Sequence, residues 1–407
     1  MKYRVAVTGL GAVSALGADS GTIAESLRVG KSGVVADLER AALGFASPLT
    51  GKLPEFTPQF PLSRKQRKTM PDFAQWAYEA VMQAVAKAGL DPAELRTDRA
   101  GIIFGCDSSS LAAVEQTATL LEKKDTASLG SGLVFRGMTS CISMNLNVIL
   151  GTMGACWTIS AACASGAHAV GQAADLIALG RQERMICGGA QEINWQSLCS
   201  FDGLGAFSTR VHAPEEASRP FDKDRDGLVP GGGAAALLLE RYDIAEKRGA
   251  RILGEIAGYG FSSDGENLSV PGKTGIGRAM RMALEGAAMR PCDVDYLCAH
   301  ATSTPLGDMM EAHNIVALFG NGTVPVSSTK SMTGHELWMS GAAQVVYTTL
   351  MARGGFIAPN RNFSSPDEGT AGLNVVAEPR AANIRAALCN SAGFGGTNAC
   401  IALRFHL

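Results

Sequence analysis

The stretch CWTISAACASGAHAVGQAADLIAL, residues 156–179, passes from a β-rich run through small residues straight into a helical pattern. Cys156 to Ser160 reads as a strand, and Ala164 to Leu179 as a helix with apolar residues at helical spacing. The small residues between them permit a tight strand-to-helix turn. Outward from this unit, short β-branched runs alternate with longer helical patterns along the whole chain, which predicts an α/β fold with buried sheets. Further strands are predicted at Tyr3 to Thr8, Arg99 to Cys106, Arg184 to Cys187, Ala234 to Glu240, Ile252 to Tyr259, Asp295 to His300, Ala386 to Asn390 and Asn398 to Arg404. Further helices are predicted at Asp72 to Ala88, Ser110 to Lys123, Gly275 to Ala288, Asp308 to Phe319 and Gly341 to Arg353. No long Ser/Gly-rich or charged linker separates them, so one compact body is expected, and no internal repeat is visible by residue identity.

The 407 residues, 46% hydrophobic and 18% charged, suffice for a substantial core and exclude disorder. With 36 Lys+Arg against 38 Asp+Glu the net charge is −2, so nothing global draws the chain to nucleic acid. Ten cysteines without a C-x-x-C pair argue against a zinc site and a disulfide scaffold, and fit a reducing cytoplasm. Lys2 and Arg4 ahead of VAVTGLGAVSALGA imitate a signal peptide, but the glycines make a buried strand entering a tight turn the better reading. Gly137 to Ala174 lacks any Asp, Glu, Lys or Arg, yet Asn145, Asn147 and His168 are unsuited to hydrocarbon. That span is expected to be core or a buried subunit interface rather than a membrane span.

Gly9-Leu10-Gly11 after the first strand invites a dinucleotide-binding reading, but Ser14 takes the third glycine position, so a structural turn is expected. The sharper feature is Cys163 in Ser160-Ala161-Ala162-Cys163-Ala164-Ser165-Gly166. A cysteine at a helix N-terminus sits at the positive end of the dipole, which is expected to lower its thiol pKa, and the N–H groups there can receive an oxyanion. Such a thiol is a candidate nucleophile; a small buried hydrophobe is the competing reading, and the better one for the other nine cysteines. His300 in Cys298-Ala299-His300-Ala301-Thr302-Ser303-Thr304 and His335 in Lys330-Ser331-Met332-Thr333-Gly334-His335 both follow strand-like runs in Gly/Ser/Thr-rich turns. Functional groups gather at such turns in α/β proteins. The segment Asn390-Ser391-Ala392-Gly393-Phe394-Gly395-Gly396-Thr397-Asn398 adds backbone able to approach a ligand closely.

These four segments, in this order and spacing, resemble the β-ketoacyl-acyl carrier protein synthases of the thiolase-like superfamily, from Val5 to nearly the C-terminus. Phe201 to Thr209 and Phe221 to Gly227 look most like the elongating members. The resemblance implies a thiolase-like fold, a five-layer αβαβα stack built from two similar halves. Residues 1–250 would carry the nucleophile Cys163 and residues 251–407 would carry His300 and His335. It further implies that Cys163 accepts an acyl group from a carrier-protein thioester, and that the two histidines promote decarboxylation of malonyl-carrier protein. Lys330 would order the histidine pair, and the N–H groups of Cys163 and Phe394 would form the oxyanion hole. Thr302 and Thr304 match positions that bind the phosphopantetheine arm; Phe394 matches a gate, with Phe201 and Ala392 in the substrate pocket. Arg64, Lys65 and Lys68, in a basic run after Pro48, Pro54, Pro58 and Pro61, match a patch that docks the acidic acyl carrier protein; an ordinary solvated loop is the plain alternative. No metal or dissociable cofactor is implied. Condensing enzymes are dimers, and both a homodimer and a heterodimer with a related chain-length subunit fit.

Several positions depart from the pattern. Ala301 follows the first histidine where Gly is usual, and Gln344 stands where a glutamate normally pairs with the lysine. Trp338 and Met339 replace small residues after the second histidine, Ala392 replaces a phenylalanine, and Asp107 and Ser108 are expected to give the acyl pocket a polar wall. These changes favour a specialised acyl chain, such as an aryl or conjugated polyene, over saturated fatty acid elongation. A degradative thiolase would need a second catalytic cysteine, an acyl-CoA-using initiating synthase would have Asn for His335, and a non-catalytic chain-length subunit would have lost Cys163.

Overall fold

The apolar run after Arg4 forms strand β1 (Val5–Val13), which is buried along its whole length. The computed structural model describes residues 2–406, and β1 is central to its largest sheet. That sheet contains β2 (Ala100–Gly105), β3 (Cys156–Ile159), β4 (Arg184–Gln191), β5 (Gly233–Arg241) and β6 (Gly254–Ser263). It is completed by β7 (Tyr296–Cys298), β8 (Pro325–Ser327), β9 (Asn374–Val375), β10 (Ala386–Gly393) and β11 (Thr397–Arg404). The spatial order is β9-β8-β7-β10-β11-β6-β1-β5-β4-β2-β3.

Two similar halves are written in that order. In the first, β2 pairs in parallel with β3 and β4, and β4, β5 and β1 continue antiparallel. In the second, β7 pairs in parallel with β8 and β10, and β10, β11 and β6 continue antiparallel. The halves meet where Ala6 and Val7 pair with Glu255 and Gly254.

The main helices are α1 (Ser20–Val29), α2 (Asp72–Lys87), α3 (Ser110–Lys123), α4 (Cys141–Leu150), α5 (Ser165–Ala178), α6 (Gly275–Ala287), α7 (Pro305–Phe319) and α8 (Ser340–Gly354). Helices α5 and α8 fill the space between the halves: Val170, Ile177, Val345 and Val346 share one core with Leu237 of β5 and Ile401 of β11. Helix α8 is buried on nearly every side and carries mostly small or apolar residues from Gly341 to Ala352, with Gln344 and Tyr347 among the buried exceptions. Outside, α2 covers β1 and β5 with Phe73, Ala77 and Val81, and α6 covers β6 and β11 with Ala279, Met280 and Ala283. The resulting stack is helix, the strands of one half, paired helices, the strands of the other half, helix, the predicted thiolase-like arrangement.

One expectation is corrected here. Gly9-Leu10-Gly11 is no turn but the middle of β1, and its glycines serve close packing. A Cβ at Gly9 would lie 1.9 Å from the Ala84 carbonyl oxygen, and one at Gly11 would lie 2.1 Å from that of Ala80. Helix α2 therefore presses its backbone onto the strand, which side chains would prevent.

Candidate active site

Strand β3 ends at Ile159 and α5 begins at Ser165, so the chain reverses within five residues. Ala162 adopts φ +47°, a left-handed conformation that costs a non-glycine residue energy and marks the turn as over-determined by its surroundings. The Ser165 hydroxyl locks it, donating to the Ala162 carbonyl at 2.6 Å and accepting from the Ala161 N–H at 2.8 Å. Gly105 lets β2 support the helix start, since a Cβ there would meet the Gly166 nitrogen at 2.4 Å. The turn carries Cys163, which is buried.

Burial pushes the Cys163 thiol up to about 12, opposed by the Lys330 charge and by its own N–H and that of Phe394. The dipole-lowered thiol expected from sequence is thus corrected: desolvation of the anion outweighs the helix terminus, and the resting group is a neutral thiol. The same two N–H groups face the sulfur, where an oxyanion formed on a Cys163 thioester would lie.

His300 stands two residues beyond β7 in a loop pinned by buried carboxylates. The His300 and Ala301 N–H groups donate to Glu311 of α7 at 2.9 and 2.7 Å, and the Asn390 amide donates to the same carboxylate at 2.9 Å. Asp308 accepts from the Thr302 N–H at 3.0 Å and the Phe221 N–H at 2.8 Å. His335 is fixed by its own N–H, which donates to the Val229 carbonyl at 2.6 Å, while its Nδ1 lies 3.1 Å from the Ser340 hydroxyl. The two imidazoles meet edge to face with centroids 5.2 Å apart. Burial first, and then the Lys330 charge, holds both well below the ordinary histidine value, so both are neutral and able to donate a hydrogen bond.

Lys330 is 1% exposed and its ammonium makes no hydrogen bond among the described residues. Burial lowers its pKa, while Cys298, Glu311, Glu336 and Cys163 around it act in the opposite direction. Gln344, at the position where a carboxylate was expected, instead ties α8 to the end of β7, its amide donating to the Ala299 carbonyl at 2.9 Å and the Cys298 carbonyl at 3.3 Å. The carboxylate facing Lys330 from the second histidine's own segment is Glu336, held by the Tyr347 hydroxyl at 2.6 Å and pushed by burial up to about 7. Sequence reasoning passed over Glu336, Glu311 and Asp308. Glu336 had a signal, being the only acidic residue between Lys330 and Arg353.

Cys163, His300 and His335 open onto one cavity of about 450 Å³, also lined by Thr302, Thr304, Phe201, Ala392 and Phe394. The Thr302 and Thr304 hydroxyls lie 3.1 Å apart. Phe394 stacks on Phe201 with centroids 6.0 Å apart, and the two residues after it, Gly395 and Gly396, take φ +75° and +72°. Asp107 and Ser108 are the exceptions: they do not line the cavity, because Trp338 donates its indole N–H to the Ser108 hydroxyl at 3.3 Å and Asp107 sits beside the Ala162 N–H. Arg64, Lys65 and Lys68 are exposed on or next to the short helix Arg64–Arg67, capped by Ser63, and none is in an ion pair among the described residues.

Comparison with known proteins identifies the family. Residues 2–245 match the family model for the β-ketoacyl synthase N-terminal domain and residues 253–364 match its C-terminal domain. The 3-oxoacyl-[acyl-carrier-protein] synthase 1 of Escherichia coli is 37% identical over 404 residues, covering 98% of each chain. A β-ketoacyl synthase crystal structure from Burkholderia phymatum superposes with a TM-score of 0.94 at 34% identity over 100% of both chains. The ishigamide ketosynthase/chain length factor superposes with a TM-score of 0.92 at 30% identity, again over 100% of both. With its Cys163 turn, paired histidines and doubled strand order, the chain belongs to the β-ketoacyl synthase family.

Proposed function

We infer that this protein is an elongating β-ketoacyl-acyl carrier protein synthase, an acyltransferase of acyl-chain biosynthesis. The observation that carries the reading is the convergence of Cys163, His300 and His335 on one cavity with the Cys163 and Phe394 N–H groups facing the sulfur. The Cys163 sulfur attacks the acyl thioester of a carrier protein; a new C–S bond forms, the old one breaks, and the pantetheine thiol leaves with the proton. Malonyl-carrier protein then enters along Thr302 and Thr304. Its C–C bond to the carboxylate breaks, carbon dioxide leaves, and the electron pair forms an enolate whose oxygen accepts hydrogen bonds from the neutral His300 and His335. The enolate carbon attacks the Cys163 thioester, the acyl C–S bond breaks, the Cys163 thiolate takes a proton from solvent to restore the thiol, and a β-ketoacyl-carrier protein two carbons longer results. The Cys163 and Phe394 N–H groups hold the intervening tetrahedral oxyanion.

The exposed cations Arg64, Lys65 and Lys68 support docking of an acidic acyl carrier protein. Val148, Met153 and Trp157 are exposed in the uncharged span, and β3 ends the sheet, which supports a second ketosynthase-type chain seated there. No helix among the described residues is long and apolar enough to cross a membrane. Gln344, Ala392 and Trp338 support a specialised primer rather than a general saturated one. The test supplies saturated, polyene and aryl-acyl carrier proteins with malonyl-carrier protein and reads products by mass. A β-ketoacyl product made fastest from an aryl or polyene primer is expected. Equal rates on all primers would overturn the specialised role, and no condensation with any would overturn the activity.

A further inference from the structure

A chain carried on Cys163 cannot share the cavity mouth with the incoming malonyl arm, so it must extend behind the sulfur. That side is filled. Cys163 packs in one cluster with Leu198, Phe207, Leu228, Leu337 and Trp338, and of these Leu198, Phe207 and Trp338 do not line the cavity. Trp338 is 6% exposed and is held from two directions. Its indole N–H donates to Ser108, whose hydroxyl lies 3.5 Å from the buried Glu192. Glu192 is itself tied to the start of α3 by the Ser110 N–H at 2.6 Å, and to Asn194 at 2.8 Å. On the backbone side, the Trp338 carbonyl lies so near Gly166 and Gly189 that a Cβ at either would stand 2.8 or 2.7 Å from it. The backbone of Trp338 is therefore fixed and its ring is buried and hydrogen-bonded, so displacing the ring would break a packed arrangement.

We propose that Trp338 is a specificity-determining residue that closes the acyl channel behind Cys163, so that the enzyme loads short acyl primers, whether saturated, aryl or polyene, and excludes long ones. The proposal rests on the inferred condensing activity and narrows its substrate. Room for the primer is the recess bounded by Phe201, Ala206, Leu228 and Leu337, the cavity-lining residues that also pack around Cys163.

The test measures acyl transfer to the protein by intact mass, using butyryl-, octanoyl- and palmitoyl-carrier proteins. Wild type is expected to form the butyryl adduct readily and little or no palmitoyl adduct. In Trp338→Ala the palmitoyl-to-butyryl rate ratio is expected to rise at least about tenfold, with a smaller rise in Ser108→Ala, which releases the indole. Wild type loading palmitoyl as fast as butyryl overturns the proposal, as does an unchanged ratio in a Trp338→Ala protein that melts cooperatively. If Trp338→Ala does not fold, the wild-type panel and Ser108→Ala decide by the same criteria. No adduct with any primer overturns the condensing activity itself, and the proposal with it.

Discussion

Among the described residues the Lys330 ammonium makes no hydrogen bond, and its buried charge works to lower the pKa of Cys163 and of both histidines. Removing it in Lys330→Gln should raise the thiol pKa further and slow acyl transfer to Cys163 by about tenfold or more, read by stopped mass-spectrometric time courses. Cys298, Glu311 and Glu336 around that ammonium raise its pKa against the lowering by burial. In Glu336→Gln the lysine should lose its proton at lower pH, so the alkaline limb of the acyl-transfer rate profile should move to lower pH. An unmoved limb would show that Glu336 does not govern Lys330. The histidines have a different signature: His300→Ala and His335→Ala should keep acyl transfer to Cys163 and lose malonyl decarboxylation by about 10²- to 10⁴-fold, measured as carbon dioxide release. Cys163, His300 and His335 were legible because each sits in a compositional anomaly of small and hydroxyl residues. Asp107 and Ser108 were misread, because which side chain faces a cavity depends on Trp338, 230 positions away from Ser108 in sequence.

At the level of elements, legibility followed contrast. Ser110–Lys123 and the core of Asp72–Lys87 were readable from amphipathic spacing. Helix α1 was not, because it buries only Ile23, Ser26 and Leu27 and is defined by its Asp19 cap and the left-handed Gly30 instead. Helix α4 lies in the uncharged span, where no polar face sets off an apolar one. Strands β8 and β9, three and two residues long, offer no pattern to detect. Close backbone packing was equally invisible, and it gives a test. Gly105→Ala forces β2 away from the start of α5, where the added Cβ would stand 2.4 Å from the Gly166 nitrogen. A loss of about 1–3 kcal/mol of stability is expected on urea unfolding, with acyl transfer impaired in the folded fraction as Cys163 moves. A fully active, equally stable variant would contradict the role given to this contact.

Across the whole molecule, the repeated strand order is a property of hydrogen-bonded pairing, and it persists where the halves share no visible residue identity. The family resemblance supplied the two-half architecture that periodicity alone could not. The buried interlayer also sets a pH dependence. His168 of α5, bonded to the Tyr259 hydroxyl at 2.6 Å, is pushed by burial down to about 4. Its folded value lies below its unfolded one, so its contribution is fully present above pH ~6.5 and is lost as pH falls from there toward 4. Relative to His168→Gln, wild type should lose about 2 kcal/mol between pH 7.5 and 5 in denaturant unfolding, and parallel curves would contradict the burial argument. The central claim, that one cavity loads an acyl chain on Cys163 and condenses it there, is tested most directly by a single turnover. Protein carrying a butyryl group is isolated, mixed with malonyl-carrier protein, and both partners are weighed over time. The account predicts that the adduct leaves Cys163 in step with a β-ketoacyl-carrier protein two carbons longer, and that Cys163→Ala forms neither. An adduct that persists on Cys163, or an equal yield from Cys163→Ala, would contradict it.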